Sequence, residues 1–286
     1  MWKLPLILIL GFIPLLGCVS WPLARPEAPQ GPQTRFDKRS EFGRILVVDE
    51  GQMRYLRFRN IYGRNQSMIL LSNPKAVPME YIRLAMLGML FTPRRECVLM
   101  IGLGGGTFTS LLRRHYPALW IDVVEVNPIV VEAAKRFFAV REDLRFRIHI
   151  EDGAAFIERA SHSYDLIMLD AYTQDGLPGH LATPKFFKAV KARLSDNGVA
   201  VLNLWVDQYT ERVIEKLFRA TFPETACIRS SDGFNLVLFG KVSATMSEHE
   251  ELVTAARRLT TDLGLSFDLG KLAERLKERC KRGIRP

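Results

Sequence analysis

Five apolar-rich runs between Cys97 and Trp205 leave this chain little freedom in how it folds. They are "CVLMIG", "WIDVVEV", "FRIHIE", "YDLIMLD" and "VAVLNLW". Strands whose apolar residues run on without strict alternation are buried on both faces, the pattern of a parallel sheet covered by helices. Helical patterns lie between them, at "TFTSLLRRHY", "PIVVEAAKRFF", "GAAFIERA" and "PKFFKAVKARL". This alternation predicts an α/β fold with a doubly wound, mostly parallel sheet.

The flanks read differently. "GRILVVDEGQMRYLRFRN" carries two β-rich runs around Asp49-Glu50-Gly51, a hairpin signal, and "NQSMIL" adds a strand. "MEYIRLAMLGMLF" has helical spacing and is closed by Pro93. "TACIRSSDGFNLVLFG" predicts an antiparallel pair at one sheet edge, and two helices follow from Ser247. The expected divisions are a targeting or anchor segment at 1–18, a linker at 19–40, a small β-rich subdomain at 41–75, the main domain at 76–245 and a helical extension at 246–286.

The N-terminus, "MWKLPLILILGFIPLLGC", has a short basic start and an apolar core, the layout of a secretory signal. Its last four residues resemble a bacterial lipobox, with Cys18 as the lipidated residue. An uncleaved anchor is the rival reading, because Leu4–Ala24 holds no charge and is barely long enough to span a bilayer. Both readings imply a membrane-associated protein and leave the face of the membrane open.

Composition excludes several functions. The formal charge of +9 is spread along the chain without an aromatic-interleaved basic stripe, so nucleic acid is not an expected partner. The densest basic cluster, "KLAERLKERCKRGIRP", reads as an amphipathic helix with a solvated face. Cys18, Cys97, Cys227 and Cys280 stand far apart and give no disulfide framework, and Cys97 and Cys227 read as core residues. The five histidines form no ligand spacing, so no metal is expected.

Four glycines in five residues follow the first apolar run, in "VLMIGLGGGTF". In such a sheet, ligands bind beyond the carboxyl ends of the strands, which is where this turn falls. Thr107 breaks the GxGxxG dinucleotide fingerprint, and no GKS or GKT follows to make a phosphate loop. The next strands end in acids: Glu125, able to accept both ribose hydroxyls; Asp152, able to accept from an adenine amino group; and Asp170. Together they point to an adenosine-type ligand, although each acid alone suits a helix cap or turn.

The combination "VLMIGLGGGTF…VVEVNP…EDGAAF…YDLIMLDAY…HLATPKFFKAVKARLSDNGVAVLNL" resembles the spermidine synthase family, a branch of the class I methyltransferase-like fold with a Rossmann-like sheet. The resemblance begins near "EFGRILVVDEGQMRYLRF" and covers about two-thirds of the chain. It implies aminopropyl transfer from decarboxylated S-adenosylmethionine to an amine, with no metal, and a homodimer. Gly102, Gly104 and Gln66 would shape the donor site. Glu125 would hold the ribose, Asp152 and Ala154 the adenine. Asp170 matches the catalytic aspartate; Tyr81, Tyr172 and Asp175 would face the substrate.

Three positions depart from the family pattern. Gly105 stands where the family's glycine turn carries an aspartate, Thr173 where it has a second substrate-binding aspartate, and Tyr81-Ile82-Arg83 replaces Tyr-His-Glu. Three functions therefore stay open: aminopropyl transfer, methyl transfer from S-adenosylmethionine, and non-catalytic nucleoside binding by an anchored protein. The secretory-type start favours the last, because nucleoside donors are cytosolic metabolites.

Overall fold

The computed structural model describes residues 31–173, 175–206, 210–243 and 247–277. The lipobox-like segment with Cys18 lies outside them. Among the described residues, no helix is long and apolar enough to cross a membrane.

Four strands form an antiparallel N-terminal sheet in the order β1 (Gln33–Ser40), β2 (Gly43–Glu50), β3 (Met53–Phe58), β4 (Asn65–Leu70). The hairpin at Asp49-Glu50-Gly51 forms as expected, with Gly51 at φ +57° supplying the left-handed turn residue. β1 corrects the linker assigned to 19–40. Its sequence "QTRFDKRS" buries one side chain, Phe36, so it has no strand signature of its own and is ordered by pairing with β2.

The second sheet has seven strands, in the order β10-β11-β9-β8-β5-β6-β7. β5 (Cys97–Ile101), β6 (Trp120–Glu125), β7 (Phe146–Ile150), β8 (Tyr164–Leu169) and β9 (Leu194–Trp205) run parallel. Every residue of β8 is buried, as an unbroken apolar central strand requires. β10 (Glu224–Arg229) and β11 (Asn235–Lys241) pair antiparallel at one edge. β11 inserts between β10 and β9, antiparallel to both.

One face is covered by α1 (Glu80–Ala85) and the 3-10 turn Met86–Leu90 after it, by α2 (Thr107–His115), α3 (Pro128–Phe137), and the C-terminal α7 (His249–Asp262) and α8 (Leu269–Ala273). The other carries α4 (Gly153–Arg159), α5 (Pro184–Ala192) and α6 (Thr210–Thr221). The sequence reading passed over α6. The small sheet docks on α3, where Phe36, Ile45, Val47 and Leu56 meet Val130, Ala133 and Phe138.

Cys97 is a free thiol, whereas Cys227 is buried and takes part in a disulfide, so Cys227 is more than a core residue. The Cys227 backbone also exchanges two hydrogen bonds with Lys277, which covers the outer edge of β10.

Candidate active site

A cavity of about 870 Å³ opens at the carboxyl ends of β5, β6, β8 and β9, beneath the small sheet. Its size suits a nucleoside-sized ligand together with a second substrate.

The glycine turn forms its floor. Gly102 (φ +95°) and Gly104 (φ +54°) adopt left-handed conformations and line the cavity. The turn is held from two sides. Glu125 is buried, and its carboxylate accepts from the amides of Leu103 (3.0 Å) and Asn127 (2.9 Å). Ser67, at the far side, accepts from the Gly105 amide at 2.7 Å. Burial pushes Glu125 above the usual carboxylate range, and the surrounding backbone amides pull it partly back. Gln66 lines the cavity beside Ser67.

Gly105 does not face this cavity. A Cβ there would lie 2.8 Å from the Ser67 Cβ and 3.0 Å from the Phe138 ring, so no side chain fits without moving the turn.

Asp152 caps α4, accepting from Ala154 and Ala155 at 2.9 and 3.0 Å, and its other oxygen meets His180 Nε2 at 2.7 Å. Burial works against its charge, but the amide of Ala155 and His180 outweigh it and hold Asp152 below the ordinary range. Asp152 and His180 both line the cavity. Ala154 does not; its amide is used by the cap and its methyl packs into the core between α4 and the sheet.

Asp170 stands at the end of β8. Tyr81 donates to its Oδ2 at 3.0 Å and Asn203 Nδ2 to its Oδ1 at 2.8 Å. Burial pushes Asp170 up to about 6; the bonds from Asn203 and Tyr81 pull it down, and the nearby Glu125 charge adds to the rise. A carboxylate of that strength is ionised at neutral pH yet accepts a proton more readily than an ordinary aspartate.

The other two expected substrate-side residues are placed differently. The Tyr172 ring lines the cavity, but its hydroxyl donates to the Asn203 carbonyl (2.9 Å) and accepts from the Trp205 amide (2.8 Å), tying down the end of β9. Asp175 is outside the lining, in the turn closed by Thr173 and Gly176, and pairs with Arg59 at 2.5 Å on the surface. Thr173 remains at the cavity wall.

Ser67, Asn203 and Asn235 escaped the sequence reading. Asn235 Nδ2 donates to Asn203 Oδ1 at 2.9 Å, extending the Asp170 network to β11. The one available signal was position: Asn203 ends a parallel strand, where ligand-facing residues gather. At the outer wall the Arg64 guanidinium lies 3.1 Å from the centre of the Trp205 ring. Among the described residues, no group of three or more His, Cys, Asp or Glu is arranged to hold a metal.

The spermine/spermidine synthase domain model matches residues 80–232. The chain belongs to this family. It is 34% identical over 172 residues to the polyamine aminopropyltransferase of Vibrio vulnificus, a match spanning 58% of each chain. It is also 32% identical over 179 residues to the bovine eEF1A lysine and N-terminal methyltransferase, covering 58% of this chain and 26% of that one. In structure it is similar to a probable spermidine synthase from Corynebacterium glutamicum, with TM-score 0.68, 20% identity and coverage of 86% and 93% of the two chains. The family is one of transferases on a class I methyltransferase-like fold, and the expected doubly wound sheet with a small N-terminal β-subdomain is what the structure has.

Proposed function

We propose that this protein transfers an aminopropyl group from decarboxylated S-adenosylmethionine to an amine acceptor, with Asp170 as the base. The observation that carries this reading is a buried carboxylate at the end of β8, pushed up to about 6 and aimed by Tyr81 and Asn203 in a cavity floored by the glycine turn. Glu125 would take the ribose hydroxyls and Asp152 the adenine amino group.

An amine is mostly protonated near neutral pH. Asp170 takes its proton, the freed nitrogen lone pair attacks the carbon beside the sulfonium, and an N–C bond forms as the C–S bond breaks. Methylthioadenosine leaves with the sulfur's electron pair. The sulfonium is already a good leaving group, so positioning supplies most of the remaining acceleration.

Methyl transfer from S-adenosylmethionine is the second reading, favoured by the likeness to the bovine methyltransferase. The glycine turn offers the cavity no carboxylate for a donor ammonium group, and that likeness spans 26% of the bovine chain, against 58% for the aminopropyltransferase. Without that carboxylate the two donors should bind within about tenfold of each other. The test is product analysis with each donor and a panel of amines. Methylthioadenosine from the decarboxylated donor supports aminopropyl transfer, and S-adenosylhomocysteine from the other supports methyl transfer. Binding of neither donor in calorimetry would overturn both.

A further inference from the structure

A base that meets a cationic amine must keep its orientation and its proton affinity without help from either substrate. Around Asp170 that help comes from Asn203, which is fixed at three points. Its Nδ2 donates to Asp170 Oδ1, its Oδ1 accepts from Asn235 Nδ2, and its carbonyl accepts from the Tyr172 hydroxyl. A carboxamide has one donating and one accepting end. Asn235 donates to the accepting end, and the donating end faces Asp170, whose ionised carboxylate can only accept. Asn203 is buried at the cavity wall.

The topology explains how Asn235 reaches this place. β11 runs antiparallel to β9, so its first residue, Asn235, is registered with Trp205 at the carboxyl end of β9. An extra parallel strand there would have put its amino end on the opposite side of the sheet.

We propose that Asn203, with its amide orientation set by Asn235, is the positioning residue of this site, and that Asn235 controls from β11 how strongly Asp170 holds its proton. The proposal rests on the reading of Asp170 as the base. The groups facing Asp170 are Tyr81 from α1, Glu125 from β6 and Asn203 from β9, with Tyr172 acting on Tyr81. Tyr81 and Asn203 favour the ionised form; burial and Glu125 oppose it. Reversing the Asn203 amide turns one of the two favourable contacts into a repulsive one.

The decisive variant is Asn235→Asp. An ionised aspartate only accepts, so it competes with Asp170 for the Asn203 Nδ2 and adds a second negative charge to the network, and both effects raise Asp170. Asn203→Leu removes the donor outright. The readout is carbon-13 NMR titration of aspartate carboxyl carbons in the full chain, with the Asp170 signal assigned from Asp170→Asn. The Asp170 midpoint should rise by about one pH unit or more in both variants, with methylthioadenosine affinity unchanged. In whichever transfer assay shows turnover, the acid limb of kcat/KM should move by the same amount. An unmoved Asp170 midpoint in folded Asn235→Asp protein would overturn the proposal. A midpoint that moves in a protein that turns over no donor would uphold the positioning role and overturn the proposed reaction instead.

Discussion

The backbone carbonyl of Asp170 occupies the space that a side chain on Gly102 would need, 2.2 Å from the Cβ position. The Asp170 amide in turn donates to the Ile101 carbonyl at 2.9 Å. The glycine turn and Asp170 are therefore packed directly on one another. Gly102→Ala should displace Asp170 and strain a backbone at φ +95°, with a stability loss of roughly 1–3 kcal/mol and a loss of turnover. Urea unfolding together with single-turnover kinetics checks this.

Asp170 itself should cost the fold stability. Its ordinary value is 3.8 and its folded value about 6. Between them the folded chain holds more protons than the unfolded chain, so stability falls as pH rises through that window and the full cost is present above it. Asp170→Asn removes this pH-dependent cost. Relative to the wild type it should gain roughly 1–3 kcal/mol at neutral pH over its difference in acid, whatever fixed cost its single accepting oxygen brings. The gain should vanish in acid below the ordinary value. Donor affinity should persist while turnover is lost, since the attacking amine alone needs the base. Unfolding curves at both pH extremes give the sign directly.

Glu125→Gln should act on both binding and folding. A glutamine has one accepting oxygen, so one of the amides of Leu103 and Asn127 loses its partner in a buried site. Nucleoside affinity should fall by about 1.5–3 kcal/mol, and stability by about 1–3 kcal/mol. Calorimetry with methylthioadenosine and a melting curve separate the two. Unchanged affinity would remove Glu125 from the ribose role.

Asp175 offers the opposite expectation. It pairs with Arg59 at the surface, where both side chains are more than half exposed, and such pairs contribute little. Asp175→Asn should leave KM for the amine and the melting temperature nearly unchanged. A large rise in KM would return Asp175 to the substrate site.

Cys18 is expected to carry lipid. In a Gram-negative host fed labelled palmitate, the wild-type chain should incorporate label and Cys18→Ala should not. An unlabelled wild-type chain that retains its first residues would instead be held by an uncleaved anchor.

The parallel core and the cavity's place were legible because unbroken apolar strands and a glycine turn have few other uses. β1 was hidden because its polar sequence gains order from β2, not from its own pattern. Ala154 and Asp175 show a second limit: matching a motif gives a position, whereas the direction of a side chain depends on what its neighbours bond. Asp152 takes the Ala154 amide, and the turn at Thr173 sends Asp175 outward. Asn203 and Asn235 carry no sequence signal of their own beyond position, because a neutral amide suits a strand end as readily as it suits holding a carboxylate without neutralising it.

The antiparallel insertion of β11 also orders events during synthesis. Residues that floor the nucleoside cavity, from Ser67 to Asp152, leave the ribosome well before Asn235, and domains form as the chain emerges from its N-terminal end. A nascent chain ending between β9 and β11 would contain Glu125, Asp152 and Asp170 but lack the clamp on Asn203. The support of Asp170 thus depends on a strand made after the glycine turn, Glu125 and Asp152.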